Sequence, residues 1–222
     1  MSKSKQQQAI GFLGGTFDPI HFGHLRPALE ISEALSLKQL FLMPNHIAPH
    51  KSASHCSAKQ RSDMVALAIA RQPGIAIDTR ELKRDKASYT IDTLKELKAL
   101  YPTTPICFIM GMDSLVSFDS WHKWQEILDY CHLIISQRPQ WHPHFNSTVQ
   151  KLVERCKTAD KQDLHNLQSG KIYFQDTSQL DISSTQIRQL LKNNLSIDYL
   201  VPEAVSDYIK KHHLYQKTKN DR

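Results

Sequence analysis

The chain holds only four cysteines, Cys56, Cys107, Cys131 and Cys156, and no two of them form a CxxC pair. That spacing excludes a zinc ribbon and a dithiol redox motif, and it predicts buried free thiols in a reducing compartment. No apolar run approaches the roughly 20 residues that a membrane-spanning helix needs. The opening "MSKSKQQQ" is polar and leads into no signal-like apolar core. A cytoplasmic location without membrane contact is therefore expected. Neither GxxxxGK[ST] nor GxGxxG occurs, which removes the P-loop and dinucleotide fingerprints. No stretch interleaves several Lys or Arg with aromatics, so nucleic acid is not expected as a partner. Internal repeats and low-complexity tracts are missing as well.

What remains is a chain of 222 residues, 40% hydrophobic and 23% charged, long enough to bury a full core. Its formal charge of +6 and pI near 9.1 favour anionic ligands. Short apolar runs at 9–13, 39–43, 75–78, 106–110, 132–136 and 171–174 predict strands. Longer patterned stretches at 23–35, 58–71, 90–100, 120–130, 147–157 and 184–193 predict helices, and a last helix opens at Pro202. Strand and helix in alternation predict an α/β fold, a doubly wound parallel sheet with helices on both faces. The expected organisation is a polar lead over 1–8, one domain over 9–215 and a basic tail over 216–222. The segment 140–170 reads as a peripheral connection with one helix, and the pair His142 and His144 within it suits a chance surface pair at least as well as a metal site.

Ligands of such sheets bind beyond the carboxyl ends of the strands, so the residues after each strand carry the interest. After the first strand comes "GGTFDPIHFGH", residues 14–24. Gly14 and Gly15 suit a turn that admits a phosphate, or simply a strand-to-helix turn. His21 and His24 fall three apart on one face at a helix start, where backbone N–H groups and the dipole favour an anion. A metal pair would want a third ligand, which the spacing does not supply. "ISSTQIR" (182–188) places Ser183 at an N-cap with Gln186 three residues on, a capping box. Thr185 and Arg188 then share a face, and with the free helix N–H groups they form a second anion site, suited to a triphosphate. "MPNHIAPHK" (43–51) reads either as a solvated loop or as a loop presenting Asn45, His46, His50 and Lys51 to a cleft. Asp113 in "GMDSL" could bind ribose hydroxyls or cap the next helix, and Trp121 could be core or a stacking face. Thr90 starts a helix where a backbone amide can meet a small carboxylate.

"GGTFDPIHFGH" resembles the first motif of the nucleotidyltransferase superfamily, whose HxGH is cousin to the HIGH of class I aminoacyl-tRNA synthetases. The ordered set "MPNHIAPHK", "SYTIDTL" (88–94), "GMDSL", Trp121 and Trp124, "QRP" (137–139), "ISSTQIR" and "LVPEAVSDYIKKHHLY" narrows it. Nearly the whole chain is similar to the bacterial nicotinate-nucleotide adenylyltransferases. The resemblance implies a Rossmann-like fold and transfer of AMP from ATP to the 5′-phosphate of nicotinate mononucleotide in NAD biosynthesis, giving deamido-NAD and pyrophosphate. It implies ATP contacts from Gly14, Gly15, Thr16, Phe17, His21, His24, Asp113, Ile182, Ser183, Thr185 and Arg188, with His21, His24 and Arg188 catalytic. Substrate contacts are implied for Asn45, His50, Lys51, Thr90, Trp121, His122 and Arg138. His122 stands where some relatives have tyrosine, which a backbone contact would tolerate. Mg²⁺ is implied with ATP, and no metal held directly by protein side chains. A homo-oligomer is compatible with a sequence that fixes no oligomeric state.

Two other functions fit parts of the sequence. The same chemistry could use another acceptor such as phosphopantetheine, although "DSWHKW" and "SYTIDTL" favour a flat heteroaromatic one. A non-catalytic nucleotide- or nucleic-acid-associated protein would account for the basic charge, and it would bind polynucleotide with strong salt dependence.

Overall fold

Six strands, Ile10–Gly15 (β1), Gln39–Pro44 (β2), Ile75–Ile77 (β3), Ile106–Gly111 (β4), His132–Gln137 (β5) and Ile172–Asp176 (β6), pair into one sheet. This computed structural model describes residues 8–45, 55–84, 88–138 and 144–216. All five pairings are parallel, and the strand order is β3-β2-β1-β4-β5-β6. The order reverses between β1 and β4, which opens a crevice at their carboxyl ends.

The apolar runs read as strands because both faces of a parallel sheet are covered, so successive residues can all be apolar. Alternation then decides which face each side chain joins. On one face Ala9, Leu40, Leu42, Cys107, Ile109 and Ile134 form a core with Phe17, Ile20, Ile31 and Met64. On the other, Ile10, Phe12, Met43, Phe108, Met110, Leu133 and Ile135 pack with Ile91, Leu94 and Leu97.

The helices are Phe22–Ala34 (α1), Ala58–Ile69 (α2), Thr90–Leu100 (α3), Met112–Val116 (α4), Trp124–Tyr130 (α5), Ser147–Cys156 (α6), Asp163–Asn166 (α7), Ser184–Lys192 (α8) and Glu203–Lys211 (α9). α1, α2, α8 and α9 supply the first core, and α3 to α6 the second. α2 starts at a complete capping box between Ser57 and Gln60.

Four expectations need correcting. Gly14 and Gly15 do not form a turn after β1: they pair with Met43 and Pro44 inside the sheet, because a strand interior needs only their backbone. The turn falls on Thr16–Pro19 instead, with Phe17 at φ 49° and a cis bond between Asp18 and Pro19. The helix expected over 120–130 starts only at Trp124, as α5, because its N-cap Lys123 sits in the left-handed region at φ 51°; a separate 3-10 turn at Phe118–Ser120 precedes it. The segment after β5 holds two helices rather than one. The short α7 has no apolar period, and it forms because Leu164 and His165 are buried against the first core. The last correction concerns the cysteines: all four are free, but Cys156 is half-buried while the other three are buried.

His165 also explains why that peripheral segment is needed. Its Nδ1 accepts from the Ala9 N–H at 3.0 Å, and its Nε2–H donates to the Leu35 carbonyl at 2.9 Å, so one imidazole ties α7 to the start of β1 and the end of α1. That pattern fixes the Nε2–H tautomer.

Candidate active site

A cleft of about 550 Å³ opens at the β1–β4 crevice. Its floor is Gly14 and Gly15 from β1, Thr16 just after it, and Phe108, Ile109 and Met110 from β4, and its walls come from the residues that follow β2 and from the starts of α3 and α4. Asn45, Thr90, Asp113, Trp121 and His122 all line it. Five residues that the sequence spreads over 78 positions thus meet at one place. His50 and Lys51 lie outside the described residues, as do His46 and His142. Arg138 directly follows β5, is exposed, and is not among the described residues of the cleft wall.

Glycine at 15 has a steric cause. A Cβ there would stand 2.7 Å from the Phe17 ring, whereas one on Gly14 would make only an ordinary contact at 3.6 Å with Phe108. The Phe17 ring is itself buried, at 2% exposure, and meets His24 edge-on with centroids 5.1 Å apart. Phe17 therefore braces His24 with its ring, and its side chain is withdrawn from the surface.

His21 is the N-cap residue of α1, with extended backbone, and His24 lies in the first turn. Their rings stack, 3.7 Å between centroids and 26° between planes. The His21 carbonyl accepts from the His24 N–H at 2.9 Å, closing the turn that brings the rings together. Gly23 sits between them because a Cβ would come 2.9 Å from His21 Nδ1 and 3.0 Å from the Ile182 carbonyl. α1 and the segment leading into α8 can approach so closely only without a side chain.

That approach sets the start of α8 beside the start of α1. Ser183 caps α8 by accepting from the Gln186 N–H at 3.1 Å. The expected capping box is half made, since the returning bond from the Gln186 side chain is not part of the cap. The Arg188 guanidinium donates to Thr185 Oγ1 at 3.2 Å and to the Asp18 carbonyl at 2.7 Å. Ser184 Oγ donates to the Pro19 carbonyl at 2.9 Å, locking the start of α8 to the turn after β1. The histidines, Ile182, Ser183, Thr185 and Arg188 thus stand across the Thr16–Pro19 turn from the cleft rather than in its wall.

Among the described residues no three of His, Cys, Asp or Glu converge. Burial lowers the His21 pKa to about 4, so the imidazole is neutral at pH 7. Its Nδ1 has no hydrogen-bond partner among the described residues, nor have Thr16 Oγ1 and Asn45 Oδ1 at the cleft floor. Thr16 Oγ1 and Asn45 Oδ1 line the cleft and His21 Nδ1 stands across the turn from it, and buried polar atoms of this kind ordinarily have a hydrogen-bond partner.

A pH prediction follows from His21. The unfolded chain protonates it near 6.5 while the folded chain holds it neutral to about 4, so the native state loses stability as pH falls through that interval. The loss reaches about 3 kcal/mol at full protonation of the unfolded form. His21→Asn, which cannot titrate, should flatten the denaturant-midpoint profile between pH 6.5 and 4, and an unchanged slope would contradict a buried neutral His21.

Several residues at the site carry no sequence motif of their own. Arg61 on α2 is 1% exposed and donates from Nη1 to the Thr16 carbonyl at 2.7 Å. Glu81, in the cleft wall, accepts from Thr93 Oγ1 at 2.6 Å, and burial holds its carboxyl above the usual range. Tyr89, whose ring meets His122 at 4.5 Å, could have been found from "SYTIDTL", where attention to Thr90 passes over its neighbour. Asp113 is exposed in the first turn of α4, and the N-cap expected of it belongs to Gly111.

The cytidylyltransferase-like family model matches residues 12–190. The chain is 72% identical over 211 residues, 95% of its own length and 99% of the relative's, to a protein of Psychromonas ingrahamii named "Probable nicotinate-nucleotide adenylyltransferase". A protein of the same name from Aeromonas hydrophila is 51% identical, with 93% of this chain and 97% of that one covered. Among solved structures, Plasmodium falciparum nicotinic acid mononucleotide adenylyltransferase complexed with NaAD has the same fold, with a TM-score of 0.70 at 23% identity over 94% of this chain and 97% of that one. With the strand order, the stacked HxGH pair and the ISSTxxR helix start in place, the chain belongs to the cytidylyltransferase-like family and, within it, to the nicotinate-nucleotide adenylyltransferases.

Proposed function

We propose that the two anion sites and the cleft divide one reaction between them, the transfer of AMP from ATP to the 5′-phosphate of nicotinate mononucleotide with release of pyrophosphate. The observation that carries this reading is the placement of the stacked His21 and His24 rings at the start of α1, against the start of α8, on one side of an aromatic-lined cleft. ATP lies with its α-phosphate at the histidines and its β- and γ-phosphates toward Thr185 and Arg188. Nicotinate mononucleotide lies in the cleft, its ring against Trp121 and its carboxylate at the backbone start of α3. Asn45 and Asp113 serve the ribose and phosphate groups between.

A phosphate monoester has a second pKa near 6, so the acceptor is largely a dianion at neutral pH and needs no base to remove a proton. Its oxygen attacks the α-phosphorus, the bond to the β-phosphate oxygen breaks, and pyrophosphate carries away the electron pair. The protein's task is to hold two repelling phosphates in line and to neutralise the charge that grows on the α-phosphate oxygens. The His21 imidazole, neutral at pH 7, and the His24 imidazole donate N–H bonds to those oxygens. With a pKa about 4, His21 is a poor proton acceptor near pH 7, so a donor role fits it better than a general-base role.

Mg²⁺ suits this site as a companion of the triphosphate. When bound with ATP it offsets phosphate charge. Arg188 and Thr185 would hold the same phosphates, and Asp113, an exposed carboxylate in the cleft lining, would be available to the cation. A cytoplasmic enzyme acting as one unit over 9–215 completes the reading.

The test is pyrophosphate release with ATP and Mg²⁺ against nicotinate mononucleotide, nicotinamide mononucleotide and phosphopantetheine. Nicotinate mononucleotide should be the best acceptor, and release with none of the three would overturn the reading. Trp121 packs on Phe108 and Phe118 and presents its remaining face to the cleft. Stacking is worth about 1–3 kcal/mol per base, so Trp121→Leu should raise KM for the acceptor by tenfold or more while KM for ATP moves little.

A further inference from the structure

The turn that connects the two anion sites is held from an unexpected direction. Asp18, 4% exposed, lies in that turn, and its carboxylate Oδ1 accepts from the Tyr215 hydroxyl at 2.7 Å across 197 positions of sequence. Its Oδ2 accepts from the His55 N–H at 2.8 Å, with His55 Nδ1 at 3.3 Å. The backbone carbonyl of the same Asp18 accepts from Arg188, and that of Thr16 from Arg61. One aspartate thus joins the end of the chain, through its side chain, to the guanidinium assigned to the triphosphate, through its main chain.

The geometry points to Tyr215 as a positioning residue of the transfer reaction: its hydroxyl fixes Asp18, and the Asp18 carbonyl in turn aims Arg188 at the departing phosphates. The bond is well placed for that work. Burial and the neighbouring Asp18 charge push the phenol far above its ordinary pKa, so it keeps its proton as a donor. Cys56 beside it is pushed up to about 11 by burial and remains a thiol. Tyr215 touches neither substrate in this arrangement. Its neighbour Leu214 is buried in the first core together with the apolar side of α9, so the anchoring of this end does not depend on the hydroxyl.

This inference rests on the role proposed for Arg188, and the experiment separates the two. Tyr215→Phe, Arg188→Ala and the double variant are assayed with ATP, Mg²⁺ and nicotinate mononucleotide, with Tm followed for each. Removing the hydroxyl alone should lower kcat about tenfold or raise KM for ATP by as much, since small misplacements at a reacting centre are costly. KM for nicotinate mononucleotide should stay within about twofold. A residue that acts through Arg188 loses its effect once Arg188 is gone, so the double variant should be no slower than Arg188→Ala, a clear departure from additivity. Additive losses, or a Tyr215→Phe enzyme with lowered Tm but normal kcat and KM, would assign the hydroxyl to stability alone and overturn the inference. If Arg188→Ala itself is as active as the parent chain, the role of Arg188 fails first, and the inference with it.

Discussion

His24→Ala should lower kcat by about a hundredfold to a thousandfold, the usual loss when one preorganised donor to a developing charge is removed. His24 is in the first turn of α1, its ring is stacked on His21 at 3.7 Å and braced edge-on by Phe17 at 5.1 Å, so it has little freedom to lose when the phosphate arrives. A donor already in place costs no reorganisation during the reaction, and its advantage grows as charge accumulates on the α-phosphate. Ground-state binding gains less from it, so Kd for ATP should change by no more than about tenfold while kcat falls. His24 is half-buried and central to no core cluster, so the variant should fold, which circular dichroism and a Tm near that of the parent would verify. Near-normal turnover by a folded His24→Ala enzyme would remove His24 from the chemistry.

Gly23→Ala should be nearly as damaging, although it adds one methyl group and deletes nothing. The new Cβ would lie 2.9 Å from His21 Nδ1 and 3.0 Å from the Ile182 carbonyl. The first neighbour is held by its stack with His24, and the second is backbone, so neither yields cheaply. Relief requires α1 and the start of α8 to part, and that separates the histidine site from the Arg188 site. Overpacking of this kind costs about 1–3 kcal/mol of stability. A displacement of even an ångström between reacting groups can cost about a hundredfold in rate. The expected readout is a kcat loss of that order with a Tm lowered by several degrees. Normal kinetics would mean that the two helix starts need not touch.

How far the sequence foretells this site depends on the kind of signal each residue leaves. The six strands are legible because burial on both faces writes continuous apolar runs, and the HxGH and ISSTxxR segments are legible because their spacing is local. Thr90, Trp121 and His122 follow from motifs at strand ends and do meet in one cleft. Arg61 and Tyr215 are different. Each hydrogen-bonds to a residue 45 or 197 positions away, and nothing in the local pattern of α2 or of the residues after α9 distinguishes them. Glu81 is hidden for a similar reason: an acid among the charged residues of "RELKRDK" reads as solvated, and only the fold shows that it is buried at the cleft wall. Gly14 and Gly15 show a limit of another sort. Their composition suggests a turn, yet the sheet uses them as strand, and the glycine that matters at 15 is explained by the Phe17 ring that the same turn folds back against it.

In the proposed reaction the histidine pair donates hydrogen bonds and takes no proton. Single-turnover rates of AMP transfer, measured with saturating ATP, Mg²⁺ and nicotinate mononucleotide from pH 5 to 9, test it most directly. The rate should be flat above about pH 7 and fall only as the acceptor phosphate gains a proton near its second pKa of about 6. A rate that goes on rising in proportion to hydroxide from pH 7 to 9 would show that a proton must leave a group in the site, and would contradict the claim.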